Sequence, residues 1–136
     1  MVRIGLVKPK PLKAETFTKA DLVKIGAKLI DSVQKRCERG QDANDSKMKP
    51  LSKGYAEKKA KMGQPAIRNM MFSGSMLGAM TITKASDDQV TIGFTRQAEL
   101  VKAQKNQDRS NWFGISPSDE DKTLYYAGRL LESKSK

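Results

Sequence analysis

Residues 17–40 constrain the fold most, because a single apolar stripe runs through them for about five turns of a 3.6-residue helix. Leu22, Ile25, Leu29, Ile30, Val33 and Cys37 recur at spacings that place them on one side of such a helix. Thr18 supplies an N-cap with Asp21 three residues on, Phe17 can staple onto Leu22 across it, and Gly40 offers the left-handed residue that ends helices. Lys24, Lys28, Lys35, Arg36 and Arg39 fall off the stripe and are expected to face water or a partner. A helix with one apolar face must lie on something apolar.

The complement is a β-hairpin. Met80 and Ile82, then Val90, Ile92 and Phe94, alternate with Thr81, Thr83, Thr91 and Gly93 around the turn Ser86-Asp87-Asp88-Gln89. Asn111 to Ile115 reads as a further strand, in which Trp112 and Phe113 point to opposite faces so that one of them enters the core. Val2, Ile4 and Leu6 also alternate, so a short edge strand competes there with an extended arm carrying Pro9, Pro11, Arg3, Lys8, Lys10 and Lys13.

Three more helices follow from local signals. Ser52 caps a short basic helix through Met62, closed by Gly63 and Pro65. A short helix from about Ser73 to Ala79 is weakened by its glycines, and Arg96 to Gln107 reads as a polar helix with Ala98 and Val101 on one face, or as a loop. Ser116 followed by Pro117 opens the last helix, with Asp119, Glu120 and Asp121 in its first turn and Leu124, Ala127, Gly128 and Leu131 as its packing face. The expected fold is α+β: a long N-terminal helix packed on a small antiparallel sheet of one hairpin plus one or two strands, with a short basic helix and a C-terminal helix. Residues 1–17 are expected as an extended basic arm, 18–133 as one domain and 134–136 as a tail.

Composition narrows the chemistry. The 136 residues suffice for one core, and a single cysteine with no histidine removes the commonest general base and metal ligand. Cys37 closes the apolar stripe and reads as a core residue. The start lacks the apolar run of a signal peptide, and no stretch nears the roughly 18 apolar residues that span a bilayer, so a soluble protein made inside the cell is expected. Net charge is +11, of which +9 falls in residues 1–62, favouring an anionic partner.

The acidic motifs are turn and cap chemistry. Asp87 and Asp88 sit at a hairpin tip, the Asp119-Glu120-Asp121 run suits a helix N-terminus, and Asp42-Ala43-Asn44-Asp45 lacks the glycine and final acid of a calcium loop. Gly74 and Gly78 are not followed by the residues of a phosphate loop. No catalytic, cofactor-binding or metal-binding residue is assigned, and an enzyme is not expected.

The order of these elements resembles the virion morphogenesis or tail-completion family of tailed bacteriophages, its Mu-like branch especially. The likeness rests on Lys49-Pro50-Leu51-Ser52 with Tyr55-Ala56 and Lys59, on Met71-Phe72-Ser73-Gly74-Ser75-Met76, on Asp87 to Gly93, and on Arg109 before Phe113-Gly114-Ile115-Ser116 and Asp119. It spans roughly residues 18–132. Members commonly carry histidine near the Val101 to Gln107 stretch and a proline beside the arginine, where this chain has Lys102-Ala103-Gln104 and Ser110-Asn111. The resemblance implies a non-enzymatic virion part that completes the tail or joins it to the head. It would act as a ring of identical copies touching neck, connector or tail-tube proteins, first in the host bacterial cytoplasm and then in the virion.

Interface residues expected on this reading are Lys53, Tyr55, Lys58, Lys59, Lys61, Met70, Met71, Met76, Arg109 and Trp112. A different class of function, sequence-independent nucleic-acid binding, would use the same lysines and the basic arm.

Overall fold

The computed structural model describes residues 4–7, 17–69 and 75–134. Its longest helix, α1 (Lys19–Glu38), begins and ends as its local chemistry dictates. The Thr18 hydroxyl accepts from the Asp21 N–H at 3.2 Å while the Asp21 carboxylate accepts from the Thr18 N–H at 2.8 Å, a reciprocal capping box. Phe17 and Leu22 are buried together beside it. At the other end Gly40 takes φ +77°. There the Gly40 N–H donates to the Cys37 carbonyl at 2.9 Å and the Gln41 N–H to that of Arg36 at 3.1 Å, a Schellman closure.

The stripe is the core: Leu22, Ile25, Leu29, Val33 and Cys37 are buried and Ile30 packs partly against them. It lies on an antiparallel sheet of β1 (Ile4–Val7), β2 (Met80–Ala85) and β3 (Gln89–Phe94), in the order β1-β3-β2. Helix and sheet are in close contact at Gly26, where a Cβ would stand 3.1 Å from Val90 Cγ2 and 3.2 Å from Ile82 Cδ1. The hairpin turn is closed by Ser86, whose N–H donates to the Gln89 carbonyl at 2.9 Å and whose hydroxyl accepts from the Asp88 and Gln89 N–H groups. The long N-terminal helix on a small antiparallel sheet makes this an α+β fold.

Within the stretch expected as an arm, residues 4–7 form the edge strand, with Ile4 opposite Ile92 and Val7 opposite Gln89. Residues 1–3, 8–16, 70–74 and 135–136 lie outside the described residues. The remaining helices are α2 (Lys53–Lys61), α3 (Ser75–Gly78), α4 (Gln97–Arg109) and α5 (Pro117–Lys134). Gln34 of α1 anchors α3 by donating its amide to the Leu77 carbonyl at 2.7 Å.

Three expectations are corrected. Asn111 to Ile115 is not a strand, and Trp112 and Phe113 both enter the core, where they and Phe94 form a triangle with ring centroids 5.2 to 6.3 Å apart. In α4 the inward face carries Ala103, Glu99 and part of Leu100, while Ala98 and Val101 are exposed. In α5 the inward residues are Asp119, Thr123 and Ala127, with Tyr126, Leu130 and Leu131 alongside, and Leu124 is 52% exposed.

Cys37 gives a direct test of this core. Burial, only partly offset by the nearby Arg36 charge, pushes its thiol up to about 12, and a protonated buried thiol is a poor nucleophile. An aromatic disulfide reagent at mildly alkaline pH is expected to leave the folded protein unlabelled and to titrate one thiol after denaturation. Labelling of the native protein at the rate of a free thiol would contradict the packing.

Candidate functional site

A buried polar cluster is built where α1 meets α5. Arg36 belongs to the face of α1 expected to meet water, yet it is fully buried. Its Nε donates to Asp119 Oδ2 at 2.9 Å, Nη1 to the Gln41 carbonyl at 3.0 Å, and Nη2 to the carbonyls of Trp112 and Gly114, each at 3.0 Å. Asp119 is equally sealed: Oδ1 accepts from the Ser32 hydroxyl at 2.6 Å and Oδ2 from the Ser116 N–H at 3.0 Å, while its own N–H donates to Ser116 Oγ at 3.1 Å. One carboxylate thus completes the capping box of α5 and neutralises a buried guanidinium. Desolvating two ions costs several kcal/mol each unless their remaining hydrogen bonds are met, and here the guanidinium is held from four directions.

The same hub ties together two segments that carry no regular structure, the loop after α1 and the 111–114 stretch. The loop after α1 folds back on the 111–114 stretch through the Ala43 N–H, which donates to the Asn111 carbonyl at 2.8 Å, and Gly114 leaves room for Ala43, whose Cβ would lie 3.1 Å from a Cβ there. Asp42 Oδ1 accepts from the Asn44 and Ser46 N–H groups at 2.8 and 3.0 Å, an Asx turn. Asp45, at φ +61°, accepts from the N–H and hydroxyl of Ser118 in the first turn of α5 at 2.8 and 2.5 Å. The loop's acids therefore go to turns and caps, and no group of three His, Cys, Asp or Glu able to hold a metal occurs among the described residues.

Desolvation raises the Asp45 pKa, but the Ser118 hydrogen bonds, with help from Ser116 and the Arg36 charge, outweigh it and leave the carboxyl below its ordinary value. A carboxyl depressed on folding adds stability that is complete above the unfolded pKa of about 3.9 and is lost as pH falls through the folded value. Urea denaturation across that acid range is expected to show a shallower decline for Asp45→Asn than for the wild type. Superimposable profiles would dissociate Asp45 from the helix cap.

Helix α2 carries five of the expected interface residues. Ser52 caps it by accepting from the Tyr55 N–H at 3.4 Å, and Gly63 at φ +74° closes it. Lys53, Tyr55, Lys58 and Lys61 lie exposed along it. Lys59 does not: it is 2% exposed, and its Nζ donates to the Ile67 carbonyl at 2.8 Å and to Asn69 Oδ1 at 2.6 Å. Asn69 Nδ2 reaches on to the Glu38 carbonyl at the end of α1, 3.4 Å away. Burial pulls the Lys59 ammonium below lysine's usual value, as expected for a cation removed from water. Lys59 is an anchor for α2, not a surface charge. Lys59→Met keeps the volume but removes the donor that serves the Ile67 carbonyl and the buried Asn69 amide oxygen, and is expected to lower stability by about 1–3 kcal/mol in urea unfolding. An effect below about 0.5 kcal/mol, typical of open surface, would remove that role.

Of the other expected interface residues, Met76 and Trp112 are buried in the core, 5% and 0% exposed, and present no surface to a neighbour. Met70 and Met71 lie outside the described residues, and Arg109 ends α4 with its side chain likewise outside the description.

One feature of the surface escaped the sequence reading. An open cleft of about 370 Å³ runs between α1 and α5, lined by Lys28, Asp121, Lys122, Tyr125, Tyr126 and Arg129. Tyr125 is 68% exposed, and its hydroxyl takes a hydrogen bond from Arg129 at 3.3 Å. The signal is present as Lys122, Tyr125, Tyr126 and Arg129 at helical spacing, beside a packing face on which Ala127 and Leu131 do turn inward and Leu124 does not. Comparison of the chain with family models, curated proteins and solved structures finds no match. No helix among the described residues is long and apolar enough to cross a membrane.

Proposed function

We propose that this chain is a non-enzymatic structural protein of a tailed bacteriophage that completes the tail or joins it to the head. It acts through contacts among copies of itself in a ring and with neck, connector or tail-tube proteins. It gathers in the host cytoplasm during assembly and ends in the virion. The observation that carries this reading is where the residues of the resemblance are spent. Ser52 and Lys59 build and anchor α2, the Gly114 carbonyl holds Arg36, Phe113 fills the core, and Ser116 and Asp119 cap α5 around the buried pair. Such a motif preserves a scaffold whose exposed helices remain for partners. The sealed Arg36–Asp119 pair, with both side chains at 0% exposure, offers no access to a ligand.

Native mass spectrometry and electron microscopy of the full chain, alone and mixed with isolated tails, are expected to reveal closed rings or tail-bound complexes. A monomer that joins nothing would remove the basis of the proposal. The nucleic-acid alternative loses Lys59 from its basic helix, leaving Lys53, Lys58 and Lys61. Three phosphate contacts from α2 predict that this helix contributes only weak, salt-sensitive duplex binding.

A further inference from the structure

Two sets of charges of opposite sign include members with no ion pair among the described residues. Lys28 is half-buried in the wall of the α1–α5 cleft and Lys122 stands opposite, and among the described residues neither pairs with a carboxylate. Arg129 adds a third cation, shared loosely with Glu132 at 3.9 Å, against a single acid in the lining, Asp121. A half-buried ammonium beside two tyrosine rings is partly stripped of water, so an arriving carboxylate gains more there than on open surface. The complementary group is the hairpin tip, where Asp87 and Asp88 are exposed, adjacent and paired with no cation among the described residues.

Within one copy no ion pair joins the two among the described residues. Gly26 of α1 packs on Val90 and Ile82 of the sheet that carries the tip, and Lys28, two residues on, lies about 200° around a 3.6-residue helix from it. Lys28 and the sheet that carries the tip therefore lie on different faces of α1, while Tyr126 of the cleft wall packs on the cluster that includes Val90. A contact that joins one surface to a different surface on the next copy is heterologous, and repeats until it closes a ring or grows a filament.

We propose that the Asp87–Asp88 hairpin tip of one copy docks in the Lys28–Lys122–Arg129 cleft of the next, forming the head-to-tail contact of the assembly. This rests on the ring reading above and specifies its interface. Nucleic acid fits the cleft less well, since Asp121 in the wall and Glu120 beside it repel a continuous run of phosphates, whereas a two-carboxylate turn need only reach the cations. The net charge of +11 opposes any self-association at long range and is screened beyond about 8 Å at physiological salt, where a contact pair is not. The contact is therefore expected to form at physiological salt and to weaken at very low ionic strength.

The test is a charge-swap cycle on the full chain, read by sedimentation velocity and by electron microscopy, with circular dichroism confirming the fold of each variant. Asp87→Lys with Asp88→Lys, and separately Lys28→Glu with Lys122→Glu, are each expected to weaken self-association at least about tenfold, because each sets like charges face to face. The chain carrying all four changes is expected to recover it. Should Lys28→Glu disturb the fold, Lys122→Glu with Arg129→Glu replaces that arm, both positions being exposed. Rings that persist unchanged in both reversed variants would overturn the tip-in-cleft contact while leaving the ring reading intact. A wild-type chain that never self-associates would overturn both. Cleft reversal that abolishes duplex binding but spares self-association would assign the cleft to nucleic acid instead.

Discussion

Asp119→Asn is expected to lower stability by about 3–5 kcal/mol, because it leaves the buried Arg36 guanidinium without its counter-ion. For a domain whose whole stability lies near 5–15 kcal/mol, that is a large fraction. Arg36→Met is expected to cost at least as much. It strands the Asp119 carboxylate and also the carbonyls of Gln41, Trp112 and Gly114, all of which the guanidinium serves. Exchanging a buried ion pair for apolar residues is often nearly neutral, but the pair here also satisfies backbone groups that the exchange cannot remove. Arg36→Met with Asp119→Leu should therefore remain destabilised, yet by less than the two single changes added together. Urea denaturation of the four species yields the coupling energy directly. A cost below about 1 kcal/mol for Asp119→Asn would mean that water reaches the pair, since exposed pairs are worth no more than that.

This hub also explains which parts of the fold were legible in the sequence. Thr18, Ser52, Ser116 with Pro117, Gly40 and Gly63 mark helix ends correctly, because capping is decided by atoms two to four residues apart. The long helix and the hairpin were legible for a similar reason, their periods being written in consecutive residues. Arg36 was misread because its acceptors lie 76 and 78 residues away at Trp112 and Gly114, and only the folded chain brings those carbonyls together. The same carbonyls turn toward Arg36 instead of entering a ladder, so the segment read as a third strand is irregular. In α5 the inward turn of Asp119 sets the rotation of the helix. Thr123 and Ala127 follow it inward at successive turns, and Leu124, assigned to the core by hydropathy, comes out. Lys59 was misread because nothing local distinguishes it from Lys58, and its anchors at Ile67 and Asn69 belong to the chain that returns after Gly63. The α5 wall of the cleft is written in local spacing, but its pairing with Lys28 is not, because the two face each other across some ninety residues of sequence.

Trp112→Ala is expected to cost about 3–5 kcal/mol in urea unfolding, the range for deleting a large aromatic from a packed core. The ring is fully buried against Phe94 and Phe113, and its Nε1–H donates to the Ala103 carbonyl of α4 at 3.3 Å, so truncation opens a cavity where sheet, α4 and the 111–116 segment meet. Trp112→Phe retains most of the apolar contact and loses the hydrogen bond, and is expected to cost less, about 1–2 kcal/mol. The ordering of the two variants separates this role from the interface role that the sequence suggested. A core residue transmits its loss to the unfolding midpoint of the isolated subunit, whereas an interface residue leaves that midpoint unchanged and reduces only assembly. Trp112→Ala with wild-type subunit stability but impaired assembly would mean that the indole faces a neighbour after all, and the 111–116 segment would have to lie outside the core.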